Sequence, residues 1–218
     1  MIALRLSEMP SEPSILLLGA HCDDIEIGMG ATILRLVKRY PDASFSWVTF
    51  SSDEVRERET RTAARRLLNG AKKTSVAVKS FRGSYFPYVG AEIKDYFETL
   101  KANLRPDLIF SHCDHDLHQD HRVICELTRN TFRDTLILEY EIPKYDGDLR
   151  TPNCYVPVSA SDLESKLDIL MESFPSQRQR AWFTRETFLS IARLRGVESN
   201  ADEGYAEGFF CRKAALGI

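Results

Sequence analysis

The 218-residue chain is short of most features that mark specialised protein classes. No apolar run approaches the roughly 20 residues that span a bilayer. The N-terminal Met1-Ile2-Ala3-Leu4-Arg5 lacks the basic-then-apolar layout of a secretory leader. Cysteines number five, irregularly spaced and without a Cys-x-x-Cys pair, so they read as reduced thiols rather than a disulfide framework. Charge of one sign is scarce too: the formal net charge is -3, which gives no footing for nucleic acid or an acidic membrane surface. A dinucleotide fingerprint is also missing. Gly19, Gly28 and Gly30 have the wrong spacing for G-x-G-x-x-G, and charged side chains occupy the place where a pyrophosphate would approach. These absences predict a cytoplasmic protein with no membrane span and no nucleic-acid partner.

What is present is the composition of an ordinary globular chain, 43% hydrophobic and 28% charged, enough for a substantial core. Short apolar runs alternate with longer amphipathic segments. Ser14 to Ala20 is continuously apolar, the mark of a strand buried on both faces. Gly28 to Tyr40 has helical spacing, with Ile33, Leu36 and Val37 on one face, and Pro41 closes it. Further strands are expected at Phe45–Phe50, Thr74–Phe81, Asp107–Ser111 and Thr135–Ile142, and helices at Glu54–Leu68, Ala91–Leu104 and from Gln119 past Thr128. Such alternation implies an α/β fold: a Rossmann-like, doubly wound, mostly parallel sheet with helices on both faces. After Pro143 the rhythm changes. A short strand at Tyr155–Ser159, a helix at Ser161–Phe174 with a Ser161/Glu164 capping box, a helix at Ala181–Leu194 and a last strand at Tyr205–Arg212 form a C-terminal extension. No linker divides the chain, so residues 1–218 are expected to form one domain.

Two clusters carry chemistry. The first predicted strand runs into His21-Cys22-Asp23-Asp24-Ile25-Glu26, and the fourth into a segment that holds four of the five histidines, His112, His115, His118 and His121, with Asp114, Asp116 and Asp120. In an open parallel sheet ligands bind beyond the carboxyl ends of the strands. Doubly wound order makes the first and fourth strands neighbours, so the two clusters should face each other. A polar turn capping a helix explains one aspartate, but not two plus a histidine directly after a buried strand. A catalytic zinc takes three protein ligands and leaves a fourth position open. His21, Asp24 and His121 would supply two nitrogens and a carboxylate. Asp23 is then free as a general base, with His118 and Asp120 as charge-stabilising or ligand-orienting groups. Zinc is the expected metal, with other divalent ions as alternatives.

These motifs resemble those of the LmbE-like, or PIG-L, family of zinc-dependent N-acetyl sugar deacetylases. The likeness rests on Ala20-His21-Cys22-Asp23-Asp24-Ile25-Glu26-Ile27-Gly28 and His118-Gln119-Asp120-His121, with Arg56–Glu59, Ala63-Ala64 and Arg105-Pro106-Asp107 in support, and reaches faintly to Tyr205–Phe209. It implies a hydrolase that removes the acetyl group from an N-acetylglucosamine-type sugar or its conjugate, metal on His21, Asp24 and His121, and Asp23 as base. It also suggests that Arg56 meets a sugar hydroxyl or phosphate, and leaves Glu59, Glu207 and Asp116 as lesser candidates for the pocket. His118, protonated, would stabilise the oxyanion, with Asp120 orienting either His118 or His121. Cys22 stands where the family usually has proline, which implies a looser ligand loop. Amide hydrolysis on a non-sugar substrate and metal binding without catalysis are the alternatives; an intact Asp23 speaks against the latter. Finally, Cys22 and Cys113 both follow neighbouring strands, close enough on strand spacing for oxidation in air to join them.

Overall fold

A computed structural model gives the fold, and residues 9–215 are described. The N-terminal stretch read above for a leader, and residues 216–218, lie outside them. Seven strands form one sheet: β1 (Ser14–His21), β2 (Ser44–Ser51), β3 (Lys73–Val78), β4 (Leu108–His112), β5 (Leu136–Tyr140), β6 (Cys154–Pro157) and β7 (Ala206–Cys211). Their order is β3-β2-β1-β4-β5-β7-β6. The first five are parallel, and β7 pairs antiparallel with both β5 and β6. The doubly wound expectation is met, with β1 and β4 adjacent at the point where winding reverses.

Alternation along β1 explains the two layers. Ile15 and Leu17 enter one core, Leu16, Leu18 and Ala20 the other. The first core is covered by α1 (Asp24–Arg39), α2 (Glu54–Leu67), α5 (Ala160–Ser173) and α6 (Arg185–Ser199). The second is covered by α3 (Gly90–Asn103) and α4 (Gln119–Thr131), through Ile93, Phe97 and Ile124. Gly28 has no room for a side chain, since a Cβ would overlap the ring of Tyr140.

Several boundaries differ from the sequence reading, each for a local reason. The first helix begins at Asp24, four residues before Gly28, because it is broken rather than late: Met29 is non-helical at φ -150°. Glu207 accepts the N–H groups of Ala31 (3.1 Å) and Thr32 (2.6 Å), and Lys166 donates to the carbonyl of Ile27 (2.6 Å) and to Glu207 (2.6 Å). The orphan amides and carbonyl of the break are thereby satisfied by a buried ion pair from the C-terminal extension. Glu207 is therefore bound up in the helix break rather than presented at the ends of β1 and β4. Helix α5 is capped by Ser159, whose hydroxyl accepts from Asp162 N at 3.1 Å, rather than by Ser161 with Glu164. Helix α6 starts after the Thr184 cap and closes at Asn200 in the left-handed region, φ 52°.

Candidate metal and catalytic site

The site lies where β1 and β4 end side by side. His21 is the last residue of β1, and Asp23 turns the chain into α1 with a left-handed backbone, φ 93°. Such a conformation is costly for a residue with a Cβ and persists only where the surroundings impose it. From the neighbouring strand, β4 ends at His112, and His118 caps α4 by accepting the N–H of Asp120 on Nδ1 at 3.2 Å. Asp120 and His121 follow in the first turn of that helix.

His21, Asp24 and His121 come together. Nδ1 of His21 is 3.2 Å from Nε2 of His121; His21 Nδ1 is 3.5 Å from Asp24 Oδ2, and His121 Nε2 is 3.5 Å from Asp24 Oδ1. Zinc bonds of about 2.1 Å in tetrahedral geometry place neighbouring ligand atoms about 3.4 Å apart. The three separations therefore fit a metal seat, and so does the donor chemistry. Among the described residues two groups of donors lie close enough to share one ion, His21 with His118 and His121, and Asp24 with His112 and His121; His121 is common to both. His112 is a poor ligand, because its Nε2 already accepts the N–H of Ala20 at 2.9 Å. It acts as a wall instead, fully buried and stacked on His121 with ring centroids 3.9 Å apart. That role was not read from the sequence, although His112 closes an apolar strand beside Ala20.

The outer nitrogens of His21 and His121, the two candidate ligand histidines, are each held by a carboxylate. His21 Nε2 meets Asp120 Oδ2 at 2.9 Å, and the same side chain accepts the N–H groups of Ser84 (2.5 Å) and Phe86 (3.1 Å). Asp120 thus orients His21, neither His118 nor His121 as expected. His121 Nδ1 meets Asp116 Oδ2 at 2.8 Å, and Asp116 Oδ1 is 3.0 Å from Lys144. Asp116 therefore holds the His121 ring, and its Oδ1 also accepts the backbone N–H of His118 at 2.8 Å. Lys144, in the loop after β5, is tied in turn to Asp148 at 2.5 Å; nothing in the sequence pattern pointed to it.

Protonation follows from this packing. Burial, and then the neighbouring His112, push His121 down to about 3, leaving it neutral with a free Nε2 lone pair. His21 goes the other way: burial would lower it, but the hydrogen bonds to Asp120 and Asp24 prevail and raise it to about 9. Burial raises Asp23 to about 7 against the opposing charge of Arg56, whose Nη2 is 3.0 Å from Asp23 Oδ1 and also binds the carbonyl of Cys22. His118 is lowered by burial and by His21, so it is not the imidazolium expected from the sequence. Because its Nδ1 accepts a backbone N–H, its remaining proton sits on Nε2.

The lesser candidates have structural roles. Glu59 takes both the N–H and the hydroxyl of Ser176, at 2.9 and 2.5 Å, as a tie between α2 and the C-terminal extension. All five cysteines are free. Cys22 turns toward β2, with Ser52 Oγ at 3.2 Å, whereas Cys113 faces His115 at 3.5 Å. The two thiols meet different neighbours and both are free, so the expected joining is not supported.

A mostly parallel, doubly wound α/β sheet with a cluster of histidines and carboxylates at its switch point is the frame of this site. The family model of PIG-L, the GlcNAc-PI de-N-acetylases, matches residues 16–132, more than half of the chain, and the chain belongs to that family. Among solved structures, the conserved protein TT1542 from Thermus thermophilus is similar at 20% identity, TM-score 0.74, covering 94% of this chain and 97% of that one. The 4-carboxy-2-hydroxymuconate hydratase GalB from Pseudomonas putida is similar at 16% identity, TM-score 0.69, covering 94% and 98%. The N,N'-diacetylchitobiose deacetylase from Pyrococcus horikoshii is similar at 21% identity, TM-score 0.62, covering 90% and 82%. These likenesses establish the fold. Among the described residues no helix is long and apolar enough to cross a membrane.

Proposed function

We propose that this protein is a zinc-dependent N-deacetylase that hydrolyses the acetamide of an N-acetylglucosamine-type amino sugar or its conjugate. The observation that carries the reading is the spacing of His21, Asp24 and His121 near tetrahedral-edge distances, with Asp23, held on a left-handed backbone, in the same turn. Membership of the de-N-acetylase family supports the substrate class.

His21 Nδ1, Asp24 and His121 Nε2 would hold the zinc, which when bound would supply activation of water and polarisation of the acetyl carbonyl. Asp23 binds no metal in this scheme. Arg56 fixes its Oδ1, and the carboxylate takes the proton from the attacking water. A carboxyl raised toward neutrality can then hand that proton to the departing amine. His118 presents Nε2–H as a neutral donor to the carbonyl oxygen as negative charge builds there. Asp120 and Asp116 keep the two ligand rings from turning.

The test is acetate release from a panel of N-acetylglucosamine conjugates and simple N-acetyl amides, with chelator and with restored zinc. Release from sugars alone, abolished by chelator and recovered with zinc, is expected. Turnover insensitive to chelator, or turnover of the simple amides in preference, would refute it.

A further inference from the structure

The loop between β4 and α4, residues 113–118, has neither helix nor strand, yet it presents His118 and leads into the helical turn that carries His121. Its course is set by side chains. Asp116 Oδ1 accepts the N–H of His118 at 2.8 Å and Asp148 Oδ2 that of Leu117 at 2.7 Å, while Arg122 donates to the carbonyls of Asp116 and Leu117. Asp116 Oδ2 takes His121 Nδ1 at 2.8 Å. Lys144 stands between the two carboxylates, its Nζ 3.0 Å from Asp116 Oδ1 and 2.5 Å from Asp148 Oδ2. The three side chains are nearly closed to water: Lys144 is 9% exposed, Asp116 2% and Asp148 6%. Lys144 is itself framed from the C-terminal extension. Arg195 of α6 grips Glu141 through Nε and Nη2, each at 2.6 Å, and donates to the carbonyl of Arg150 at 2.7 Å. The stretch that carries Lys144 is thus fastened both before and after it.

We infer that Lys144 is a positioning residue for this site, setting His118 and His121 together from the loop after β5. Asp116 and Asp148 are like charges with one ammonium between them. Among the described residues Lys144 is the one lysine or arginine paired with either carboxylate. With so little water at the pair, repulsion between them is weakly screened. Without the ammonium the carboxylates would part, and each would draw with it the backbone amide it binds, that of His118 or of Leu117. Asp116 also holds the His121 ring, so one displacement would reach a candidate metal ligand and the neutral donor His118 at once. Lysine suits the place because its ammonium is a compact charge with three donors, enough to serve both carboxylates. What the inference says of turnover rests on the deacetylase reading; what it says of metal affinity and ring position does not.

The experiment compares the full chain with Lys144→Met, Lys144→Gln and the double variant Lys144→Met/Asp148→Asn, each checked for fold by circular dichroism. Zinc affinity is read by chelator competition, the imidazole nitrogens of the metal-free protein by NMR, and acetate release from N-acetylglucosamine at saturating zinc. Lys144→Met should bind zinc about tenfold more weakly, the scale typical of losing a group that orients a metal ligand, and should shift the ring-nitrogen signals of His118 and His121. With zinc saturating, kcat should fall about tenfold while KM holds, since His118 meets charge that builds only in the transition state. In the double variant the repulsion is gone and an amide still accepts from Leu117, so part of the zinc affinity should return. Where Lys144→Met does not fold, Lys144→Gln, which keeps a donor without the charge, is read in the same way. Zinc affinity and ring signals unchanged in the folded Lys144 variants, or a double variant that binds zinc no more tightly than Lys144→Met, would overturn the inference. If the parent releases no acetate, the deacetylase reading fails, and zinc affinity and ring signals still decide the role of Lys144. Acetate release by the parent, with affinity and signals alike in parent and Lys144→Met, sinks the role of Lys144 alone.

Discussion

The carboxylate of Asp120 reaches back 99 positions to hold His21 Nε2 at 2.9 Å, and with its remaining capacity it binds the backbone of Ser84 and Phe86. One side chain thus joins the end of β1, the first turn of α4 and the segment after β3. Asp120→Asn keeps the size but loses the charge and one acceptor. Partners of this kind typically contribute 10–100-fold to metal affinity. Zinc affinity in chelator competition should fall by about that factor, with the fold intact by circular dichroism. Unchanged affinity would mean that His21 needs no orienting carboxylate.

Zinc should displace a proton. In the metal-free protein His21 is raised from 6.5 to about 9, burial opposing and the hydrogen bonds to Asp120 and Asp24 prevailing. Its proton occupies the space between Nδ1, His121 and Asp24 that a cation would take. Between about pH 7 and 9 zinc affinity should therefore rise about tenfold per pH unit and then flatten. For a raised pKa the sign for stability is fixed: the contribution of His21 is complete below 6.5 and is lost as pH rises through about 9. The metal-free protein should lose stability over that window, and the zinc-loaded protein should not. Calorimetry in buffers of different ionisation enthalpy counts the proton; a count of zero at about pH 7.5 would contradict the protonated His21.

Catalysis should separate from metal binding. Asp23→Asn removes the base while leaving His21, Asp24 and His121 untouched, and general-base catalysis is worth roughly 10²–10⁴-fold. A loss in kcat of at least about a hundredfold is expected, at undiminished zinc content by elemental analysis. Near-normal turnover would exclude Asp23 as the base.

The fold and the three close-packed ligand candidates were legible because each follows from local pattern. Apolar runs at Ser14 and Asp107 fixed two buried strands, winding order made them neighbours, and the histidines follow directly after them. What was not legible depends on contacts far apart in sequence. Whether Asp116 or Asp120 serves His21, His118 or His121 turns on side-chain directions in a loop, where spacing gives no period to read. The break in α1 was hidden for the same reason: Gly28 and Gly30 weaken the helix there but do not by themselves interrupt it, and Lys166 and Glu207, more than a hundred residues away, make the interruption stable. Glu207 looked like a pocket residue because exposure cannot be judged from a lone glutamate. Lys144 lay in a polar loop that looks like any solvated segment.

The break in α1 should be sensitive to its ion pair. Lys166 and Glu207 are almost fully buried and 2.6 Å apart, and each also satisfies backbone groups that the kink at Met29 leaves free. Removing one member of such a pair strands the other charge, which typically costs about 3–5 kcal/mol. Lys166→Met should fall in that range by urea unfolding, since it also orphans the Ile27 carbonyl. Glu207→Gln should cost less, because an amide can still accept from Ala31 or Thr32. The double variant should be more stable than Lys166→Met alone, because no charge is left unpaired. Ile27 is only three residues beyond Asp24, so loosening the break should also weaken zinc binding in Lys166→Met. Additive losses in the double variant would show that the two side chains act on the helix separately, and that the ion pair itself contributes nothing.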